Sequence, residues 1–273
     1  MKKTFILLIV FSSYMSTIAQ TDSLVYFLKT GNTKYMMNDY FGALLNFSEA
    51  IRISPSNYEA YKMRGIVHYS NYNYRSALKD MEKSVNLNKG CTECMFYLSK
   101  IHENLGDTSK SKKYLSELKE SMLFSSASTH IRNGNYILTK YKNYKEAEGH
   151  YLKAIEVYPM AEAFYKIGYI RLQEKKFNES IIQFDKAIAL DSTYYLAYAM
   201  KGAALLSLNN YQEAVTSCSK SIDYSPEYAD AYAYRGNAYY YLSILDKASA
   251  DWKKAKELGA KDVVDLLSTS YNK

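Results

Sequence analysis

The sequence predicts an all-α array of about seven stacked helical hairpins, and three periodic features predict it. Gly31 and Gly65 lie 34 residues apart, as do Gly168, Gly202 and Gly236 in succession. A small residue follows each of these glycines after 12 positions (Ala43, Ala77, Ser180, Ala214, Ala248), and another comes seven further on (Ala50, Ser84, Ala187, Ser221, Ala255). The three prolines, Pro55, Pro159 and Pro226, fall in one phase of the same repeat, at its thirty-second position. Self-similarity at a fixed period of roughly 20 to 50 residues marks stacked supersecondary units. With 11 glycines and 3 prolines in 273 residues, a turn-rich all-β chain is excluded. A content of 48% hydrophobic and 23% charged residues excludes a disordered one.

Residues 1–19 read as a segment outside the fold. Lys2 and Lys3 open it, Phe5 to Phe11 is unbroken apolar sequence, and Thr17-Ile18-Ala19 places small residues where a signal peptidase cuts. The uncharged run from Thr4 to Ala19 is 16 residues, short of the roughly 20 that a spanning helix needs. The expectation is a cleaved signal peptide, a mature chain starting at Gln20 with a net charge of +5, no membrane-spanning segment in it, and a periplasmic or extracellular location.

Seven units then follow, at 24–57, 58–91, 92–127, 128–160, 161–194, 195–228 and 229–262. Unit 195–228 shows the logic. Tyr198, Lys201, Gly202 and Leu205 share one helix face; Asn209-Asn210 breaks the period; Tyr211, Ala214, Val215, Cys218 and Ile222 form a second face that stops near Pro226. Gly202 and Ala214 let the two helices approach. Ser221 does the same toward the next unit. The third and fourth units depart from the pattern. Leu118 replaces the second small residue, no proline closes unit three, and Ser125, Ser126 and Ser128 follow; in unit four Gly134 stands one residue early and Asn135 takes the expected glycine position. The array is therefore expected to divide into blocks at 24–124 and 128–262. Val263, Val264, Leu266 and Leu267 suggest a capping helix within 263–273 that covers the last hairpin.

These residues resemble the tetratricopeptide repeat. Ala231 to Tyr239 and Ala161 to Gly168 look like its first helix, and Tyr40 to Leu44 and Tyr144 to Ala147 like the start of its second. The likeness runs over 24–262. It implies a right-handed α-solenoid whose first helices line a groove that holds peptides or partner proteins. Some members hold a terminal carboxylate with lysines, arginines and asparagines; that set is not reproduced here.

Chemistry is sparse. The four histidines do not converge in the sequence pattern, His102-Glu103 lacks the second histidine of a metalloprotease helix, and no phosphate loop or nucleophile elbow occurs. The expectation is a protein that is not an enzyme and carries no cofactor or metal. Cys91 and Cys94 form a C-x-x-C pair at a helix start, a candidate disulfide in an oxidising compartment and otherwise a redox pair. Cys218 takes a core position. Lys110, Lys112 and Lys113 are one short cluster, so with a formal charge of +7 a nucleic-acid partner is not expected.

The distinctive composition is 30 tyrosines. Nine occupy positions where the hairpin itself needs a large residue: Tyr40, Tyr61, Tyr74, Tyr144, Tyr151, Tyr198, Tyr211, Tyr232 and Tyr239. Nine others fall on the groove face of the first helices: Tyr35, Tyr69, Tyr97, Tyr136, Tyr165, Tyr169, Tyr234, Tyr240 and Tyr241. The groove is mixed in charge toward the N-terminus and apolar in the last units. A protein or peptide partner is therefore expected to contact Tyr165, Tyr169, Met200, Tyr234, Asn237, Tyr240 and Tyr241, since tyrosine offers large contact area at low entropic cost. The leading reading is an exported scaffold or adaptor. A glycan or cell-wall binder using the tyrosines, and a thiol-redox factor using Cys91 and Cys94, are the alternatives.

Overall fold

The computed structural model describes residues 20–260; the expected signal peptide at 1–19 and capping helix at 263–273 lie outside the described residues. Among the described residues the chain is helical throughout, with no strand. Helix α1 runs through 20–36. It is followed by α2 (Tyr40–Ile53), α3 (Tyr58–Ser70), α4 (Tyr74–Leu87), α5 (Thr92–Asn104), α6 (Thr108–Tyr141), α7 (Tyr144–Val157), α8 (Ala161–Gln173), α9 (Phe177–Leu190), α10 (Tyr195–Ser207), α11 (Tyr211–Tyr224), α12 (Ala229–Tyr241) and α13 (Leu245–Glu257).

The hairpin turns share one geometry. At the fifteenth position of each repeat the backbone turns left-handed: Asn38, Tyr72, Gly106, Lys142, Lys175, Asn209 and Ser243 have φ between 52° and 81°. The next residue caps the second helix through its side chain in three hairpins, whereas Asn73 and Asn210 at the same position make no such bond. Asp39 accepts from the Gly42 amide, Asp107 from the Lys110 amide and Asn143 from the Glu146 amide. Such caps satisfy amides that the first turn of a helix leaves open.

In several hairpins the repeat glycine lies against a large side chain of the second helix. A Cβ at Gly31 would meet Phe47 at 2.7 Å, at Gly168 Phe184 at 2.6 Å, and at Gly236 Trp252 at 2.6 Å. In the fourth hairpin Gly134 performs this task one residue early, with Tyr151 at 2.7 Å from where a Cβ would be. Asn135, in the expected glycine position, accepts a hydrogen bond from the Tyr151 hydroxyl at 2.8 Å.

Helix α6 is the main departure from regular hairpins. It continues through 127/128, where the repeat spacing places a unit boundary, so the second helix of the third hairpin and the first helix of the fourth form one 34-residue helix. The segment holds no proline, and its serines at 125, 126 and 128 are tolerated in a helix where a proline would stop it.

The described residues form two compact units, which divide between Met122 and Leu123. In the first, Ala43, Phe47 and Val67 make one core and Ile66, Ala77, Met81, Cys94, Leu98 and Ile101 another. In the second, successive cores form around Tyr151, around Phe184 and around Leu205. Within each unit successive hairpins bury a face against one another, which is how a repeat too small for its own core becomes stable.

Two arginines each pair with an aspartate of their own hairpin and bond to a serine of the preceding one. Arg64 donates to both carboxylate oxygens of Asp80 at 2.8 Å and to Ser48 of the preceding hairpin at 3.1 Å. Arg235 repeats this with Asp251 (2.7 and 2.9 Å) and Ser219 (3.1 Å).

Candidate functional site on the first helices of the C-terminal unit

In the second unit the C-terminal part of α6 and the helices α8, α10 and α12 supply one face, and two adjoining clefts open on it. One, of about 520 Å³, is lined by Leu138, Thr139, Lys142, Tyr144, Tyr165, Lys166, Tyr169 and Gln173. The other, of about 450 Å³, is lined by Leu172, Gln173, Lys175, Phe177, Ala203, Leu206, Ser207, Tyr234 and Asn237. Gln173 belongs to both, so the clefts form one groove across successive first helices. Its walls are mainly aliphatic and aromatic, with small residues such as Ala203 leaving the space.

The other end of these helices carries a tyrosine cluster. The Tyr165 and Tyr194 rings meet edge to face with centroids 5.4 Å apart, and Tyr195 and Tyr228 do the same at 5.3 Å. Tyr234 packs against the same core as Tyr165 and Tyr194. The Tyr228 hydroxyl donates to Asp230 at 3.1 Å, and the Asn135 amide donates to Glu162 at 3.0 Å. Burial pushes the Tyr165 hydroxyl up to about 12, aided by neighbouring tyrosines and by Asp230 and Glu162. Burial, then Asp230, pushes Tyr234 up to about 12 as well. Tyr194 and Tyr228 are raised further, again chiefly by burial. All four are therefore neutral hydroxyl donors at ordinary pH.

The seven residues expected to contact a partner have distinct placements. Tyr169, Tyr234 and Asn237 are half-buried and line the clefts. Tyr165, only 9% exposed, forms the floor of the first cleft, while Met200, 8% exposed, is packed in the core beside it and lines neither cleft. The Asn237 oxygen accepts from the Trp252 indole at 2.9 Å, which leaves its amide group for any ligand. Tyr240 packs on Trp252, and Tyr241 stacks on Tyr211 with ring centroids 4.8 Å apart. These last two therefore serve the terminal hairpins.

Tyr194, Tyr195 and Tyr228 were absent from the sequence-based site. They close repeats or open them, and at helix ends neither 3.6-residue periodicity nor the groove phase marks them. The one available signal was that Tyr194 and Tyr228 stand 34 residues apart. Lys166 and Gln173 were missed too, being ordinary polar residues within a helix.

The other candidates lie apart. Cys91 and Cys94 are joined by a disulfide, with Cα atoms 5.3 Å apart, at the start of α5 in the first unit. The Cys94 sulfur is fully buried and 3.2 Å from Ser84 Oγ. Cys218 is a buried free thiol that burial pushes up to about 12. His130 of α6 and His150 of α7 lie near one another, ring centroids 6.0 Å apart. No group of three or more His, Cys, Asp and Glu side chains placed for a metal ion occurs among the described residues. No helix of the described residues is long and apolar enough to cross a membrane.

The fold and groove define the class: an all-α solenoid of helical hairpins whose first helices present a cleft. The chain carries tetratricopeptide repeats. Tetratricopeptide-repeat models match residues 161–194 and 195–228, and a further one matches 93–121. The chain is similar to the DnaJ homolog subfamily C member 7 homolog of Schizosaccharomyces pombe, with 23% identity over 172 residues, 61% of this chain and 31% of that protein. It is also similar to Hsp70-Hsp90 organizing protein 1 of Glycine max, with 40% identity over 52 residues, 19% of this chain and 9% of that protein. It thus spans less than a third of either relative's length. Among solved structures it resembles YrrB, a tetratricopeptide protein with an unusual peptide-binding site, at 17% identity and a TM-score of 0.42, over 82% of this chain and 97% of that one.

Proposed function

We propose that the protein is an exported scaffold or adaptor that holds a protein or peptide segment in the groove of its second unit. The observation that carries this reading is the pair of adjoining clefts sharing Gln173, walled by Leu138, Tyr169, Leu206 and Tyr234. A groove that crosses several helices, apolar along its walls and bordered by tyrosine hydroxyls and side-chain amides, fits an extended peptide. Apolar side chains enter the clefts while polar groups meet the peptide backbone. The Lys2-to-Ala19 pattern supports export, which would place the partner in the envelope or outside the cell.

Affinity capture from an envelope fraction tests the reading when wild type is compared with Ala203→Trp. An indole at position 203 fills the second cleft. The partner bound by wild type is expected to be lost by the variant at an unchanged helical circular dichroism signal. Equal recovery by both proteins would contradict the groove as the site.

A further inference from the structure

The charged residues on the walls of the two clefts are all lysines. Lys142 and Lys166 line the first and Lys175 the second, and among the described residues no carboxylate lines either. The neighbouring carboxylates are already taken: Glu148 and Glu179 pair with Arg171, and Glu174 with Arg171 and Lys176. Glu162 and Asp230 stand in the first turns of α8 and α12, and neither lines a cleft. Among the described residues none of the three lysines forms an ion pair; Lys166 lies over the Tyr165 ring, 5.6 Å from its centroid. The groove thus carries positive charge that the chain itself does not answer.

Two of these lysines stand where the backbone disfavours them. Lys142 and Lys175 hold the left-handed turn position of consecutive hairpins, at φ 52° and 60°. Asn38, Gly106 and Asn209 fill the same position with residues that enter this region readily, whereas the Cβ of a lysine is crowded there. Local conformation therefore gives no reason for lysine at either turn, while the cleft beside each turn gains a cation. The Asn237 oxygen is occupied by the Trp252 indole at 2.9 Å, so its amide group faces a ligand as a donor. Cations and amide donors between the aliphatic walls of Leu138, Leu172 and Leu206 complement a segment that carries carboxylates among apolar side chains.

We propose that the groove receives an extended segment of the partner whose acidic side chains pair with Lys142, Lys166 and Lys175 while its apolar side chains enter the clefts. The proposal rests on the reading that a peptide lies in the groove, and adds the charge of that peptide. Lys142 and Lys175 belong to consecutive hairpins, and packed helices lie on the order of 10 Å apart. An extended chain covers that distance in about three residues, so the carboxylates recur at about that spacing. They are side chains within the segment and not a chain terminus, because the cations are spread over two clefts and not gathered at one end.

Fluorescence anisotropy with the full chain and labelled Ala/Leu nonapeptides tests this. Three peptides, blocked at both ends, carry Glu, Gln or Lys at two positions three residues apart; a fourth is the glutamine peptide with a free C-terminal carboxylate. The glutamate peptide is expected to bind about tenfold tighter than the blocked glutamine peptide, with the lysine peptide weakest. The gap should shrink at about 0.5 M salt, where exposed charges are screened. Lys142→Asn with Lys175→Asn should bring the glutamate peptide to within about threefold of the glutamine peptide. Asparagine suits the left-handed turn, so the melting temperature of this variant should hold or rise, which separates lost pairing from lost folding. Lys166→Gln should act in the same direction. Equal binding of the glutamate and glutamine peptides, abolished by Ala203→Trp, would overturn the acidic-segment proposal while leaving the groove as the peptide site. So would tightest binding of the lysine peptide, a free-carboxylate peptide that matches the glutamate peptide, or a double lysine variant that binds the glutamate peptide as wild type does. No binding of the glutamate peptide at about 1 mM would also overturn the proposal. Binding of the glutamate peptide that Ala203→Trp leaves unchanged would contradict the groove reading and this proposal with it.

Discussion

Two glycines in helices of the second unit should respond to the same mutation with opposite signs. Gly149, within α7, has nothing within 4 Å of where a Cβ would sit. Alanine there gains helix propensity of about 1 kcal/mol and meets no obstacle. Gly202, within α10, would place a Cβ 2.3 Å from the Cys218 sulfur, with the Ala214 carbonyl oxygen at 3.5 Å and the Cys218 nitrogen at 3.7 Å behind it. Ordinary contact needs about 3.5–4.0 Å, so the sulfur or the whole of α11 must retreat by more than about 1 Å. Overpacking of this kind costs roughly 1–3 kcal/mol, which outweighs the propensity gain. The double variant Gly202→Ala with Cys218→Ala separates strain from other causes. Cys218→Ala alone should cost about 1 kcal/mol for a lost buried sulfur. Combined, the new methyl fills the space the sulfur leaves, so the double variant should fall short of additivity by about 2 kcal/mol. Urea unfolding followed by far-ultraviolet circular dichroism and by the single tryptophan, Trp252, provides the readout. Gly202→Ala stabilising as much as Gly149→Ala, or a double variant that simply adds, would refute the close approach.

Further expectations follow from the turn, the ion pairs and the buried hydroxyls. Ser243, exposed and at φ 61°, should gain about 0.5 kcal/mol on mutation to Gly and lose about 1–2 kcal/mol on mutation to Val, read from the unfolding midpoint. Arg235→Met leaves the buried Asp251 carboxylate unpaired and should cost about 3 kcal/mol in urea unfolding, while adding Asp251→Leu should restore most of it. The folded-state pKa of Cys218, Tyr165 and Tyr234 is raised to about 12 in each case by burial, above their ordinary values of 9.0 and 10.0. Each neutral group therefore contributes stability that is intact below its ordinary value and is lost as pH climbs toward 12. Melting temperature should be flat near neutrality and fall progressively above pH 9, and iodoacetamide should label Cys218 only after unfolding.

The hairpin itself was legible because its demands recur. Gly202 and Gly236 must each admit a residue of the facing helix, and Ala214 and Ala248 must let two backbones approach, so the same residue sizes return every 34 positions. The two matched repeats at 161–194 and 195–228 have the limits which that spacing gives. Helix α6 was harder to read. Two repeats fuse there when nothing stops the helix, and the lack of a stop is a weak signal beside three serines. Gly134 shows that a function can shift by one residue, since Asn135 makes a new bond to Tyr151 and the pairing survives. The Arg–Asp–Ser staples were invisible to hydrophobic periodicity, although Arg64, Asp80 and Ser48 recur as Arg235, Asp251 and Ser219 at one common offset. In the candidate site, phase placed Tyr169 and Tyr234 on the groove face. It could not tell that Tyr165 turns inward as a floor, or that Tyr241 leaves the groove to stack on Tyr211.

The central claim is that the partner lies along the first helices of the second unit. Site-specific photo-crosslinking addresses it most directly. A benzophenone amino acid placed at Leu206, on the wall of the groove, is compared with the same group at Leu152, which is 52% exposed on a second helix. The account predicts a partner adduct from position 206 and none from position 152, with the adduct at 206 lost when Ala203→Trp fills the cleft. An adduct from position 152 with none from 206 would contradict it.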